Sequence, residues 1–262
     1  MDAACAQLEA RAKARAQAEQ AEYERKVAAR AERQGSAKGP EPKPPQDTPE
    51  PDEQINLSDP DARLMRKSQR ESYTQSYNAQ AIVDADGSQL IPSASLRAGS
   101  GQRVSTCAAD VGETEADLAA IPASLGEPTA ALADCGYADK AVIERLGRER
   151  PGLDLYISVH REDAHAERRY DWRPLDKIKA PKTPTDPVLI AMAEKLRTPE
   201  GKARYRRRAC SVEPVFGIIK SALGFRQFML RGLKKVAGEW NLVCLAYNLK
   251  RLHTLRQTAL AA

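Results

Sequence analysis

The sequence predicts an α/β protein after about residue 54, since short strand-like runs alternate there with helical segments. The apolar runs "TAALAD" (129–134) and "LDLYISV" (153–159) have the length of buried strands, and residues 138–148 between them have a helical pattern. Residues 113–121 also favour a helix. Upstream, "SYNAQAIVDADGSQLIPSASL" (76–96) holds two runs of strand formers around "DADG", which is typical of a hairpin.

The first 53 residues have a composition that does not build a core. Residues 1–34 are mostly Ala, Glu, Lys, Arg and Gln, and predict a charged Ala-rich helix that is either solvated or lies against a partner. Residues 35–53 contain six prolines and are expected to form a linker. The sequence therefore predicts a helical and disordered amino-terminal extension, followed by a compact region at residues 54–257.

The distribution of charge points to a polyanionic partner. Residues 201–262 contain 13 Lys and Arg but only two Glu, a balance of +11 in a chain whose net charge is +5. Such an asymmetry is typical of nucleic-acid binding. The five cysteines have no CxxC spacing, and no signal peptide or apolar run long enough for a bilayer is recognisable. We therefore expect a cytoplasmic protein with no membrane association.

Two carboxylates are candidate ligands for a divalent cation. Asp134 is expected at the carboxyl end of a strand, where α/β sheets bind ligands, and Glu213 lies in the basic segment "YRRRACSVEPVFGIIK" (205–220). Carboxylates from separate elements can hold Mg²⁺. Alternatively, Asp134 is a strand-end turn residue and Glu213 belongs to the polar face of an amphipathic helix.

Pro214 directly follows Glu213 and leaves two possibilities for the local backbone. A helix begins with Pro214 at its first position, so that Glu213 caps it, or a longer helix is kinked there. Either arrangement places Arg206, Glu213 and Lys220 on one polar stripe, opposite an apolar face containing Val215 and Ile219.

Basic residues continue after this segment in "GFRQFMLRGLKK" (224–235), which contains Arg226 and Arg231 between two phenylalanines. Such side chains neutralise backbone phosphates without choosing a sequence, although a solvated loop has the same composition. Residues 236–252 are apolar over most of a helix circumference and predict a buried closing helix.

Several motifs together resemble the carboxyl-terminal portion of DDE transposases from bacterial insertion sequences. The resemblance covers about residues 54–253 and includes "INLSDPDARLM", "SYNAQAIVD", "ALADCGY", "VEPVFGIIK", "LGFRQFMLRGLKKV" and "EWNLVCLAYNLKRL", in this order. It implies an RNase H-like mixed sheet flanked by helices, two divalent ions (Mg²⁺ or Mn²⁺), and DNA strand cleavage and transfer at transposon ends.

The resemblance also assigns roles to individual residues. Asp134 matches the second catalytic Asp and Glu213 the catalytic Glu, both as metal ligands, whereas Tyr205, Arg208 and Lys220 match residues that accompany this Glu. Together with Arg226 and Arg231 they are expected to bind DNA. Four residues separate Arg208 from Glu213, one more than in the common signature.

The first catalytic Asp of the family has no counterpart here, because the resemblance begins after the strand that carries it. Asp84 lies at the expected hairpin tip instead. The sequence therefore predicts a truncated transposase that lacks the first strand of its sheet, with DNA (transposon ends and target) and a second copy or an intact transposase as partners. A non-catalytic DNA-binding or inhibitory remnant that pairs with intact transposase, or a basic scaffold unrelated to transposition, are the alternatives.

Overall fold

The computed structural model describes residues 2–32, 41–65, 72–97, 113–160 and 184–261. The chain divides into two compact units, one of which includes Met1–Ser76, and the other Tyr77–Arg97 and Ala108–Ala262. Residues 33–40, which include the end of the predicted helix and the start of the predicted linker, and residues 161–183 lie outside the described residues. Within the described part of the chain, no helix is long and apolar enough to span a membrane.

The first unit contains a long helix and a small hairpin. Helix α1 (Asp2–Glu32) forms as the run of strong helix formers predicts. It is not fully solvated, since Ala12 is completely buried and Arg15 forms an ion pair with Glu53 at 3.3 Å. Strands β1 (Arg63–Met65) and β2 (Thr74–Ser76) pair antiparallel.

The second unit begins with the predicted hairpin. Strands β3 (Asn78–Ile82) and β4 (Ser93–Arg97) pair antiparallel, with Asn78 opposite Arg97 and Ile82 opposite Ser93. Their connection at residues 83–92 includes the "DADG" sequence and is longer than a two-residue hairpin turn. Gly87 has a positive φ of 112°, and Gln89 is, among the described residues, the non-glycine residue with a positive φ, at 56°.

Helices and strands alternate from residue 113 to residue 157 as predicted, and three α-helices follow within the described residues. They are α2 (Glu113–Ala119), β5 (Ala130–Ala133), α3 (Lys140–Glu149), β6 (Asp154–Ile157), α4 (Pro187–Arg197), α5 (Pro199–Gly217) and α6 (Leu233–Ala261). Strands β5 and β6 are parallel and in register from Ala130 with Asp154 to Ala133 with Ile157. The parallel pair needs the crossover that α3 provides. This mixture of helices and small sheets is compatible with the predicted α/β class.

Two apolar clusters form the core of the second unit. The first lies around β6 and is built from α2, α3 and α4, with Leu146 and Ile157 almost fully buried. The second lies against β3 and β4 and joins Val215 and Ile219 to Trp240 and Tyr247 of α6. Neighbouring residues of β3 contact different clusters, since Ile82 packs on the first and Ala81 on the second. Successive side chains of a strand point to opposite faces of the sheet, which explains this alternation.

Residues 236–252 form a helix as predicted, but the prediction that this helix is buried is wrong for part of its surface. One face of α6 is buried, but Leu242 and Leu249 on the other face are 67% and 60% exposed. Leu245 and Leu252 are exposed as well. An apolar composition does not show how many sides of a helix are covered, and here α6 packs on the hairpin from one side.

Candidate functional site

A cavity of about 810 Å³ lies inside the second unit, between the two sheets. Residues 78–83 at β3 line one side, and residues 128–134 at β5 line the other. Helix α5 contributes Arg204, Arg207, Arg208, Ser211, Val212 and Phe216, and helix α2 contributes Leu118. Strand-end carboxylates and basic side chains therefore share one concave surface.

Asp134 lines this cavity at the carboxyl end of β5, where the sequence places it. Its backbone is extended, and its carboxylate accepts a hydrogen bond from Gly136 N at 2.8 Å. This bond caps the single 3-10 turn at Cys135–Tyr137. Asp134 is thus a turn residue, as one interpretation predicts, and its half-buried carboxylate retains further lone pairs for a ligand.

Glu213 lies on the exposed side of α5 and is not among the residues that line the cavity. Helix α5 contacts β5, so both candidate acids belong to neighbouring elements. The idea that Glu213 caps a helix beginning at Pro214 is wrong, because α5 begins at Pro199 and continues through Pro214. Joint binding of an ion by Asp134 and Glu213 stays a prediction.

The helix tolerates Pro214 because its missing hydrogen bond is replaced. A proline has no N–H, so the carbonyl of Cys210, four residues earlier, loses its helical donor. Gln89 Nε2 donates to this carbonyl at 2.8 Å instead. After Gly217 the chain continues as a π-helical turn at Ile218–Ala222, where the hydrogen-bond pattern widens. Pro214 therefore lies in a helix whose irregular end is supported by the hairpin connection.

The predicted DNA-binding residues lie along α5 and the loop that follows. Arg208 lines the cavity with its guanidinium 5.6 Å from the Tyr205 ring, a cation–π distance. Lys220 is exposed on the π-helical turn, 5.8 Å from the Phe216 ring. Arg226 and Arg231 are exposed beyond it. Of these cations, Arg208 lines the cavity, whereas Lys220, Arg226 and Arg231 are not among its lining residues.

Two further arginines that the sequence motifs do not single out line the cavity. Arg204 and Arg207 lie beside Arg208 on the same face of α5, and Arg207 forms an ion pair with Asp86 at 2.6 Å. The spacing of residues 204, 207, 208 and 211 places them on one helix face, which is a signal the sequence contained.

A second unpredicted feature connects α4 to β6. Lys195 Nζ bonds to the Asp154 carboxylate and to the Leu155 carbonyl, and lies 4.2 Å from the Tyr156 ring centroid. Tyr156 Oη also donates to Asp154 at 2.6 Å. Burial acts to raise the pKa of Asp154, but the bonds from Lys195 and Tyr156 outweigh it and hold this pKa below its usual value.

The described residues do not fit a two-ion metal site by themselves. Among them, no group of three or more His, Cys, Asp or Glu side chains is arranged to hold a metal ion. Two-metal catalysis needs several carboxylates that converge within a few ångströms. Asp134 supplies one such group, and one of its oxygens already accepts the Gly136 amide.

The fold and this cavity together define an α/β protein with a strand-end carboxylate and a strongly basic carboxyl-terminal helical region. Comparison with known families then identifies this region: residues 178–253 match the family described as the transposase DDE domain. The match confirms the resemblance to DDE transposases that the motifs predict, over the segment that contains α4, α5 and most of α6. Neither the curated proteins nor the solved structures provided a match.

Proposed function

We propose that this chain acts in DNA transposition as part of a DDE transposase, binding transposon-end and target DNA and taking part in strand cleavage and transfer. The observation that carries the proposal is the transposase DDE match at residues 178–253, which includes Glu213 and 12 of the 13 Lys and Arg residues of the basic segment 201–262. The proposal extends the catalytic region to residues 54–257, with an RNase H-like arrangement, and places the protein in the cytoplasm with its DNA.

Asp134 and Glu213 are the proposed metal-binding carboxylates, with Mg²⁺ or Mn²⁺ as the ion. The rigid end of β5 holds Asp134, and α5, which contacts β5, carries Glu213. Because the described residues supply too few carboxylates for two ions, cleavage in this proposal requires a further carboxylate beside Asp134. We therefore assign these two residues to binding and derive no catalytic step from them.

DNA binding by Tyr205, Arg208, Lys220, Arg226 and Arg231 is the second part of the proposal. The exposure of Arg226 and Arg231 supports contacts of their side chains to phosphates. Each such contact to duplex DNA adds about 0.9 to the slope of log affinity against log salt. Replacing both with alanine should lower this slope by about 1.8. The matched control replaces Lys13 and Arg25, two exposed cations of α1, and should leave the slope unchanged.

A non-catalytic role is the second candidate. In it the chain binds DNA, or pairs with an intact transposase as an inhibitor, without cutting. The observation that favours it is the position of the acids: Asp134 is engaged by the Gly136 amide, whereas Glu213 lies exposed and outside the cavity lining. The hydrogen bond from Gly136 N gives the Asp134 carboxylate a structural role that requires no metal ion.

Cleavage of transposon-end DNA in the presence of Mn²⁺ or Mg²⁺ distinguishes the two functions. If the chain is catalytic, Glu213→Gln should abolish nicking, because glutamine lacks the carboxylate charge that binds the metal ion. DNA affinity should stay within about twofold of the wild type, because glutamine has nearly the same shape as the exposed Glu213. The control is Glu194→Gln, an exposed acid of α4 in the same matched region, which should cut like the wild type. Binding without nicking by the wild type supports the non-catalytic role.

A further inference from the structure

The basic segment at residues 201–262 contains two acids, and Glu239 is the one to which no motif assigns a role. Thirteen Lys and Arg accompany Glu213 and Glu239 there. A carboxylate repels the phosphates of DNA, so an acid on a DNA-binding surface works against affinity. Glu239 lies in the second turn of α6, shortly after residues 224–232, which we call the basic loop. Its contacts with this loop give it a different role.

The carboxylate of Glu239 binds two consecutive backbone amides of the basic loop. Its Oε1 accepts a hydrogen bond from Met229 N at 2.9 Å, and its Oε2 accepts one from Leu230 N at 3.0 Å. Hydrogen bonds to a charged acceptor are about twice as strong as those between neutral groups. The two bonds span ten and nine positions of the chain, so they fasten the loop to the helix that follows it.

The basic loop is packed at its base and exposed at its tip. Phe228 lies edge-on to Trp240, with the ring centroids 6.4 Å apart. Gly224 and Gly232, at the two ends, have positive φ angles of 72° and 83°, which turn the chain into and out of the loop. Met229 is 74% exposed. A tip with so little apolar burial depends on its hydrogen bonds for order, and Glu239 accepts two of them.

We propose that Glu239 is a positioning residue for DNA binding, which holds the backbone of the basic loop so that the exposed Arg226 and Arg231 reach phosphates of one duplex. A loop that is already ordered loses less conformational entropy when it binds. This gain outweighs the repulsion between the Glu239 charge and the phosphates, because amides engage both oxygens of the carboxylate. The inference rests on the proposed function, since it needs both arginines to contact DNA.

Two variants of the full chain separate the charge of Glu239 from its hydrogen bonds. Glu239→Ala removes the charge and both acceptors, whereas Glu239→Gln removes the charge but keeps a carbonyl oxygen that accepts amide hydrogens. Fluorescence anisotropy measures the affinity of each for a random-sequence duplex over a range of salt concentrations. Repulsion alone predicts that both variants bind the duplex more tightly than the wild type.

The proposal predicts that the two variants differ. Glu239→Ala should lower the affinity at least about fivefold and reduce the slope of log affinity against log salt by about 0.9 to 1.8, the contribution of one or two phosphate contacts. Glu239→Gln should bind within about twofold of the wild type, because its carbonyl oxygen retains a bond to the loop.

The same substitution in a chain that lacks Arg226 and Arg231 distinguishes positioning from general destabilisation. In the Arg226→Ala/Arg231→Ala background, Glu239→Ala should change the affinity less than about twofold, because the basic loop then carries no cation to be positioned. A loss of affinity through unfolding would be equal in both backgrounds, and that result overturns the proposal.

Amide hydrogen exchange of the free protein, followed by NMR, tests the anchoring without DNA. Exchange of Met229 and Leu230 should be at least about tenfold faster in Glu239→Ala than in the wild type, whereas exchange of the buried Cys244 in the same helix should change less than about twofold. Unchanged exchange of the two loop amides overturns the proposal, as does wild-type affinity of Glu239→Ala for the duplex. If the wild type itself does not bind the duplex, the proposed DNA binding fails as well, so the two failures are distinguishable.

Discussion

Asn248 of α6 is predicted to be a principal attachment of the long helix to the hairpin. Its side-chain carbonyl accepts a hydrogen bond from Ile91 N at 2.9 Å, and its amide donates to Ile91 O at 2.8 Å. Ile91 is 5% exposed, so both of its backbone groups need protein partners. Asn248→Ala removes both bonds at once, without disturbing the apolar contacts of α6.

The size of the effect follows from these two bonds. Each contributes about 1 to 1.5 kcal/mol, so their loss costs about 2 to 3 kcal/mol. Alanine is a better helix former than asparagine by about 0.6 kcal/mol, which offsets part of the loss. The expected decrease in the free energy of unfolding is therefore about 2 kcal/mol.

Urea unfolding followed by circular dichroism measures this change. The control is Asn241→Ala, since Asn241 is exposed on the same helix and should show a gain of up to about 0.6 kcal/mol. If Asn248→Ala loses less than about 0.5 kcal/mol, or if both variants lose equally, the two bonds to Ile91 do not stabilise the hairpin in the way proposed.

Three further predictions concern the core, a buried thiol and the strand-end acid. Ile219 is 1% exposed, so Ile219→Ala should lower the free energy of unfolding by about 2 to 4 kcal/mol. Met229 is 74% exposed, so Met229→Ala should change this free energy by no more than about 0.5 kcal/mol. Urea unfolding measures both changes. Burial raises the pKa of the Cys244 thiol to about 12, above its value in the unfolded chain. The contribution of the neutral thiol to the free energy of unfolding is therefore fully present below about pH 9 and is lost as pH rises towards 12. Cys244→Ala should flatten the fall of stability measured between pH 9 and 10.5, and an equally steep fall in the variant contradicts this assignment. Asp134→Asn keeps an oxygen that can accept the hydrogen bond from Gly136 N, so the melting temperature of the variant should remain within about 3 °C of the wild type. Metal-dependent nicking of DNA should be lost. A large drop in melting temperature would mean that the charge of Asp134 itself supports the fold.

The elements of the second unit could be predicted because their signals are local. A strand such as β5 is an apolar run that ends at Asp134, and α3 begins where Asp139 accepts a hydrogen bond from Val142 N at 2.9 Å. Capping residues, turn residues and short apolar runs act over a few positions. For this reason the order of helices and strands follows the sequence closely, with shifts of a few residues at their ends.

The continuous helix at Pro214 could not be predicted from the neighbouring residues. Proline disfavours a continuous helix by removing one hydrogen bond, and the sequence alone allows either a start or a kink. The helix continues because Gln89, 121 positions earlier, donates to the Cys210 carbonyl. No pattern near residue 214 contains that information. The same limit applies to α6, where the exposed Leu242 and the buried Trp240 belong to one apolar stretch.

The candidate site was predictable in its residue types but not in their arrangement. Asp134 lies at the end of its strand as expected, yet its carboxylate also caps a turn. Glu213 is exposed, whereas Arg204 and Arg207, which the motifs do not single out, line the cavity. Motifs identify chemistry-bearing residues, but the rotation of a helix decides which of them face a cavity, and that depends on the packing of residues such as Val215.

Each of the two apolar clusters holds one of the two sheets that lie beside the cavity of the second unit. The first cluster fixes β5 and β6 through α2 and α3, and the second fixes β3 and β4 through α6. Ile82 and Ala131 contact the first cluster from opposite sides of the cavity, so among the described residues the two sheets are linked through side chains and not through strand hydrogen bonds. Apolar packing is less directional than a strand ladder. Within the described part of the chain, the relative position of the two sheets therefore depends on this side-chain packing.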